Sequence, residues 1–166
     1  ISQFDKPIGY DGFVEIEIGD DSRRISIERI HLEEDTGKSM HIETGETYID
    51  YNKSGVALFE VVTKPEFESI EEVLVFAKRL RQIVRYVDAS NAEMQKGQMR
   101  FELNISMRSE EEIAAGKLPD YKVEVKNIGS ISVLEKVLAF EITRQTELLT
   151  NGEVIQQQTR GLKDMS

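Results

Sequence analysis

Hydrophobic and polar residues alternate over several short segments of this chain, and a period of two residues predicts β-strands. The first such segment, 13–18, runs into the turn residues Gly19-Asp20, and another begins near Arg24. Two alternating segments joined by a short turn that contains glycine predict a β-hairpin.

The second strand of this hairpin changes the parity of its apolar positions. Ile25 and Ile27 share one parity, whereas Ile30 and Leu32 have the other. One extra residue in a strand moves the side chains that follow to the opposite face. We therefore predict a bulge near residues 28–29.

Further strands are predicted where apolar runs or alternation lie between turn residues. These segments are 39–42, 56–62, 100–108, 121–127 and 153–159. On the polar side of 100–108 are Glu102 and Asn104, and on the polar side of 121–127 are Glu124 and Lys126. If these two strands pair, Glu102 and Glu124 share one face of the sheet.

Apolar residues recur at helical spacing after Ser69 and again after Ser132. Each of these serines precedes a glutamate by three residues, which is the pattern of a capping box. The predicted buried stripe of the first helix is Val73, Phe76, Ala77, Leu80, Val84 and Val87. That of the second helix is Leu134, Val137, Leu138, Ile142, Leu148 and Leu149. Strands mixed with two helices predict an α+β fold, with an antiparallel sheet covered on one face by helices.

The size and composition suit one domain over residues 1–166 with a single core, since the chain has 166 residues and is 39% hydrophobic. The net charge of −10 argues against a protein that grips phosphate backbones unaided, and acidic groups can instead hold divalent cations. There is no cysteine, which excludes disulfides and thiolate metal sites. No apolar run approaches the roughly 20 residues of a membrane span. We expect a soluble, cytoplasmic protein without a membrane partner.

Glu60 interrupts the apolar run 56–62, which otherwise predicts a buried strand. A carboxylate there loses water, and burial is unfavourable unless a cation or hydrogen-bond donors compensate. Glu60 is therefore either a paired structural charge or a ligand, and by itself the residue favours the paired charge.

Four carboxylates lie on or at the ends of predicted strands: Glu34, Glu60, Glu102 and Glu124. Carboxylates that converge on one sheet face repel one another unless hard cations such as Mg²⁺ lie between them. Such a cluster suits phosphoryl transfer from ATP. The alternative is that each glutamate faces water opposite a cation such as Lys122 or Arg100. His31 and His41 are too few for a zinc site, and we expect them to be structural.

Several ordered motifs make the chain resemble the GatB family, which forms one subunit of aspartyl/glutamyl-tRNA amidotransferase. They are ISQFDKPIG, IERIHLEEDTGKS, IDYNKSGVALFEVVTKPEF, RQIVRYVDAS, KGQMRFELNISMR, KVEVKNIGS and TRG. The resemblance implies a fold similar to the catalytic sheet of glutamine synthetase. It also implies that ATP phosphorylates the Glu or Asp misacylated on tRNA(Gln) or tRNA(Asn), and that ammonia from the amidase subunit gives the amide.

The resemblance further implies a site. Glu34, Glu60, Glu102 and Glu124 would be the catalytic carboxylates and the ligands of Mg²⁺, with Mn²⁺ as an alternative, and ATP would contact Lys53, Asn104 and Lys126. The implied partners are the amidase subunit (GatA), the small subunit (GatC) and the acceptor end of the misacylated tRNA.

The chain departs from the family pattern at Lys53, Ala57 and Glu102, where the family usually has Arg, Pro and Asp. We expect a fragment of the catalytic, or cradle, domain that lacks the N-terminal Gly-Leu-Glu-x-His segment and the C-terminal helical and tail domains, and that is inactive in isolation. The departures favour one alternative, a non-catalytic homologue that acts as an assembly or binding module. Another amide ligase of the glutamine synthetase type is a further alternative.

Overall fold

The chain divides into two compact units, Ile1–Phe67 and Glu68–Ser166, and each is described by itself. The computed structural model describes residues 2–42 and 44–165. The expectation that residues 1–166 form one domain stays a prediction.

Within residues 2–42 and 44–67, the first unit contains five strands in two sheets. They are β1 (Gly9–Ile18), β2 (Asp21–Glu34), β3 (Lys38–His41), β4 (Thr47–Asp50) and β5 (Ala57–Thr63). The larger sheet has the order β1-β2-β5 and is antiparallel throughout, while β3 and β4 form a separate antiparallel pair. The predicted first hairpin and the short strand near residues 39–42 are both confirmed.

The β1–β2 hairpin follows directly from its sequence pattern. Val14 and Ile16 of β1 and Ile25 and Ile27 of β2 are buried, and the polar residues between them are more exposed. Gly19 forms the turn with a φ of 60°, a left-handed conformation that glycine adopts without a steric penalty.

The predicted bulge in β2 is present, but it does not bury Leu32. The register of β2 against β5 shifts between Ile27 and Arg29, whereas its register against β1 continues unbroken. Since β2 keeps its alternation relative to β1, the next fully buried side chain after Ile27 is His31, and Leu32 remains 40% exposed. The inferred change of the buried face to Ile30 and Leu32 is therefore wrong.

In its described part, residues 68–165, the second unit combines three strands with three α-helices. The strands are β6 (Phe101–Ile105), β7 (Val123–Ile128) and β8 (Gln158–Arg160). The helices are α1 (Ile70–Tyr86), α2 (Glu110–Ala114) and α3 (Ile131–Thr150), and short 3₁₀ helices occur at Met94–Lys96 and Leu162–Met165. The sheet has the order β6-β7-β8.

The last strand differs from its prediction in extent and direction. It covers Gln158–Arg160 and not the whole of 153–159, and it pairs with β7 in parallel. Parallel neighbours need a long crossover connection, and α3 lies in the connection between β7 and β8. Val154, expected as a strand hydrophobe, is 88% exposed.

The helices of the second unit cover one face of its sheet, as the hydrophobic patterns predict. Ala77 of α1 and Leu134 of α3 belong to one buried cluster with Val125 and Ile128 of β7, and Phe101 and other apolar residues of β6 pack against it. The predicted α+β class is thus confirmed. The single antiparallel sheet is not, because the described strands form three sheets, which are antiparallel except for the β7–β8 pair. The likeness to the glutamine synthetase sheet stays a prediction. Among the described residues no helix is long and apolar enough to cross a membrane.

The helix starts only partly follow the predicted capping boxes. Ser69 caps α1, since its side chain accepts a hydrogen bond from the Glu72 backbone N–H at 3.1 Å. The cap of α3 is Ser130, whose side chain accepts from the Val133 N–H at 3.1 Å, and the predicted cap at Ser132 is wrong. Ser130 has the extended backbone of a cap, whereas Ser132 already lies within the helix.

The buried stripe of α3 also differs from its prediction beyond Leu138. Glu141 and Gln145 are fully buried, while the expected Leu149 is 42% exposed. These positions continue the helical spacing of Leu134 and Leu138, so the buried face is polar at the end where apolar residues were expected.

Candidate functional site

The face of the second unit's sheet that lies opposite its helices carries a cluster of charged and polar side chains. Asn104 of β6 lies directly opposite Glu124 of β7. Lys126 Nζ lies 3.3 Å from Glu124 Oε1 and 3.8 Å from Glu102 Oε2. The prediction that Glu102 and Glu124 share a face is therefore confirmed, and the cation that contacts both carboxylates is Lys126.

A local irregularity helps to place Glu102 beside Lys126. The β6–β7 register shifts between Phe101 and Leu103, and Asn127 on β7 has a positive φ of 64°. Asn adopts this left-handed conformation more readily than most residues. The resulting bulge leaves Val125 and Ile128 in the core while Lys126 reaches both carboxylates.

Glu124 has a further partner on β8. Thr159 lies beside it in the parallel ladder, and the Thr159 hydroxyl donates a hydrogen bond to Glu124 Oε2 at 2.8 Å. This hydrogen bond lowers the pKa of Glu124. Partial burial raises the pKa, Lys126 lowers it, and the net shift is downward. Glu124 is therefore a carboxylate at neutral pH and can bind a cation.

The first unit has a second cluster, centred on His31. His31 of β2 is fully buried and pairs directly with Glu60 of β5. Its Nε2 lies 3.1 Å from Glu60 Oε2 and 3.2 Å from Glu33 Oε1. One ligand atom from each of the three residues lies within 4.8 Å of the others, a spacing that could hold a metal ion. The His31 and Phe4 rings form a T-shaped contact, with 5.7 Å between the centroids.

His31 was expected to be structural, and its place in this cluster was not predicted. The signal was available, because His31 has the same parity as the buried Ile25 and Ile27, and Glu33 is the next residue on that face. Within the described residues the buried Nδ1 of His31 has no hydrogen-bond partner. The imidazole contacts Glu33 and Glu60 through Nε2.

The expected burial of Glu60 is wrong. Its side chain is 52% exposed although it shares a sheet face with the fully buried His31, and β5 is the end strand of the β1-β2-β5 sheet. Because the Glu60 carboxylate keeps much of its water, its burial cannot be used as an argument that it binds a metal ion. The contact with His31 is the observation that distinguishes Glu60 from an ordinary surface glutamate.

Glu34 lies apart from Glu60 within the first unit. Glu34 pairs with Ala57 at the end of the β2–β5 ladder, three positions along β2 from His31. Because side chains alternate between faces, Glu34 and Glu60 point to opposite faces of the sheet. Lys53 is exposed in the turn between β4 and β5, where its carbonyl accepts a hydrogen bond from the Val56 N–H at 3.1 Å.

Comparison with known proteins identifies the family. A family model described as the GatB/GatE catalytic domain matches residues 1–166. The chain belongs to this family. The match covers both units and therefore both clusters.

Curated relatives of this GatB/GatE-family chain are named as one subunit of aspartyl/glutamyl-tRNA(Asn/Gln) amidotransferase. The protein from Bacillus cytotoxicus is 42% identical over 160 residues, which are 96% of this chain and 33% of the relative. That from Enterococcus faecalis is 42% identical over 162 residues, with the same shares of 96% and 33%. That from Streptococcus pyogenes is 44% identical over 161 residues, again 96% and 33%. The chain thus spans about a third of the length of these relatives.

A buried polar network on the helix side of the sheet is a further feature of this GatB/GatE-family chain that the hydrophobic pattern did not predict. Arg144 donates to both oxygens of the fully buried Glu141, through Nε at 3.0 Å and Nη2 at 2.6 Å. Gln145 donates to Glu141 Oε1 at 2.8 Å and accepts from the Tyr121 hydroxyl at 2.9 Å. Burial raises the pKa of Glu141, but the hydrogen bonds and the positive charge of Arg144 outweigh it, and the net shift is downward.

Proposed function

We propose that this chain carries part of the catalytic site of an ATP-dependent tRNA amidotransferase. The enzyme would phosphorylate the Glu or Asp misacylated on tRNA(Gln) or tRNA(Asn) and amidate it with ammonia from the amidase subunit. The observation that carries the proposal is the cluster of Glu102, Asn104, Glu124 and Lys126 on the sheet face opposite the helices of a GatB/GatE catalytic domain.

The residues of this cluster fit ATP and Mg²⁺, or Mn²⁺ in its place. Mg²⁺ prefers carboxylate oxygens, and Glu102 and Glu124 already share one cation, the Lys126 ammonium. When bound, ATP and the metal ion would supply the phosphoryl group and neutralise the charge on its oxygens.

Each residue of the cluster has a distinct proposed role. Glu102 and Glu124 would hold the metal ion through their carboxylates. Lys126, released from the carboxylates, would place its ammonium on phosphate oxygens, and the Asn104 amide would orient the nucleotide. Such positioning is the main contribution that a protein makes to phosphoryl transfer.

In the first unit we propose metal ligation by Glu34 and Glu60 and nucleotide contact by Lys53. Glu60 has support from its environment, since it faces His31 and Glu33 at distances that suit a cation. The proposed roles of Glu34 and Lys53 are supported by the family motif.

The relatives are each named as one subunit of an amidotransferase, which supports partner subunits, and we propose the partners that the family resemblance implies. They are the amidase subunit (GatA), the small subunit (GatC) and the acceptor end of the misacylated tRNA. We propose the cytoplasm as the place of action, because translation supplies the tRNA there.

The test measures ATP-dependent conversion of tRNA-bound glutamate to glutamine by the full protein with its partner subunits. Glu124→Gln should lower the rate by at least about 100-fold, since a metal ion supplies several kcal/mol of transition-state stabilisation. Glu153→Gln, an exposed glutamate of the same unit, is the matched control and should leave the rate unchanged. Equal rates for the two variants would contradict the proposed role of Glu124.

A second candidate is a non-catalytic assembly or binding module. Lys126 contacts both Glu102 and Glu124, so these two carboxylates already form surface ion pairs without a metal ion. This candidate predicts no binding of Mn²⁺ and no ATP-dependent activity in the full protein, whereas the enzyme requires both.

A further inference from the structure

The two carboxylate oxygens of Glu124 have partners of different kinds. Oε2 accepts the hydrogen bond of the Thr159 hydroxyl at 2.8 Å, and Oε1 faces Lys126 Nζ at 3.3 Å. The hydroxyl is neutral and comes from β8, while the ammonium is a cation on the same strand as Glu124. A carboxylate with one oxygen fixed by a hydrogen bond presents the other oxygen in a defined direction.

Thr159 can hold Glu124 Oε2 in place because β8 also has a contact on the opposite face of the sheet, between Arg160 and Glu141. Neighbouring residues of a strand point to opposite faces, so Arg160 points toward the helices when Thr159 points toward Glu124. Arg160 Nε lies 3.7 Å from Oε2 of the fully buried Glu141 on α3.

Glu141 is itself held in position by hydrogen bonds. Arg144 and Gln145 of the same helix both donate hydrogen bonds to its carboxylate. A strand of three residues has few ladder hydrogen bonds of its own, and the link to α3 adds a second constraint on its position.

We propose that Thr159 is a positioning residue for the metal ligand Glu124. Its hydroxyl holds Oε2, so that Oε1 is presented to the cation site in one orientation, and the Arg160–Glu141 contact keeps β8 in place for this task. The inference rests on the proposed function, because it assumes that Glu124 binds the metal ion.

The test measures the affinity of the full protein for Mn²⁺, used as the probe, from the free Mn²⁺ signal in electron paramagnetic resonance. Thr159→Val keeps the shape of the side chain and removes the hydroxyl, and we expect about tenfold weaker binding, as for other residues that orient a metal ligand. Thr159→Ser restores the hydroxyl and should bind within about twofold of the unchanged protein.

Two controls separate positioning from a general loss of structure. Thr143→Val makes the same substitution at an exposed threonine of α3, whose hydroxyl donates to the Ala139 carbonyl at 2.9 Å, and should leave Mn²⁺ affinity unchanged. The melting temperature without metal should move by no more than about 2 °C in either Val variant, since both are surface substitutions.

Glu124→Gln distinguishes failure of the inference from failure of the proposed function. Loss of Mn²⁺ binding in Glu124→Gln together with the pattern above supports both. Loss in Glu124→Gln with unchanged affinity in Thr159→Val overturns the role of Thr159 and leaves the proposed function standing. Unchanged affinity in Glu124→Gln, or no binding by the unchanged protein, overturns the metal role of Glu124 and the inference with it.

Discussion

Glu141 and Arg144, three residues apart on α3, form a two-pronged ion pair in which the carboxylate is fully buried. The arginine side chain is 21% exposed, whereas that of Glu141 is fully buried. Arg160 of β8 approaches the same carboxylate from another element. Through Arg160, the Glu141 carboxylate therefore links α3 to β8, the strand that carries Thr159.

Removal of the Glu141 charge should destabilise the protein. Glu141→Gln leaves Arg144 without its counter-ion, and we expect a loss of about 3 kcal/mol in the free energy of unfolding, the lower end for a broken buried pair because Arg144 keeps some water. Urea denaturation measures the loss. Glu147→Gln, exposed on the same helix, should change the free energy by less than about 0.5 kcal/mol, and equal effects would contradict a special role for Glu141.

The same pair should make stability depend on pH in the acid range. The folded-state pKa of Glu141 is lowered because the hydrogen bonds and charge of Arg144 outweigh burial. Its contribution is therefore complete above the unfolded pKa of about 4.3 and is lost as the pH falls through the folded pKa. We expect the difference in melting temperature between the unchanged protein and Glu141→Gln to be constant from about pH 8 to 6 and to narrow below about pH 4. A difference that stays constant down to pH 3 would show that Glu141 does not titrate there.

Adjacent substitutions on β2 test which side chain the first unit buries. His31 is fully buried and Leu32 is 40% exposed, although Leu is the more hydrophobic residue. His31→Ala should lower the free energy of unfolding by about 3 kcal/mol, since it leaves a cavity. Leu32→Ala should lower it by less than about 1 kcal/mol. Chemical denaturation gives both values, and the reverse order would indicate that the inferred switch of face at the bulge is real after all.

A pair of serine substitutions tests the start of α3. Ser130→Ala removes the acceptor of the Val133 N–H and should lower the free energy of unfolding by about 1 kcal/mol. Ser132→Ala, within the first turn and exposed, should have an effect of less than about 0.5 kcal/mol and can stabilise slightly, because alanine is the better helix former. Thermal unfolding of the two variants gives the comparison, and a larger effect at Ser132 would place the cap where the sequence pattern put it.

Much of the fold could be predicted because local patterns decide it. Alternation placed β1, β6 and β7, and helical spacing placed α1 and α3 within a few residues of their observed bounds. The shared face of Glu102 and Glu124 followed from parity within two strands that do pair. In these segments the hydrophobic face of the element is also its buried face, except in α3 beyond Leu138, where Glu141 and Gln145 are buried.

The sequence by itself determined the α+β class, the order of most elements, the family motifs and the polar character of the β6–β7 face. Only the tertiary structure decided that His31 is buried against Glu33 and Glu60, that Glu141 lies inside the second unit, and that Thr159 reaches Glu124 through a parallel strand. The physical reason is common to all three. A polar group can be buried or oriented only when partners offset its lost water. Several of those partners, such as Glu60, Arg160 and Thr159, lie on other elements and cannot be predicted from local periodicity.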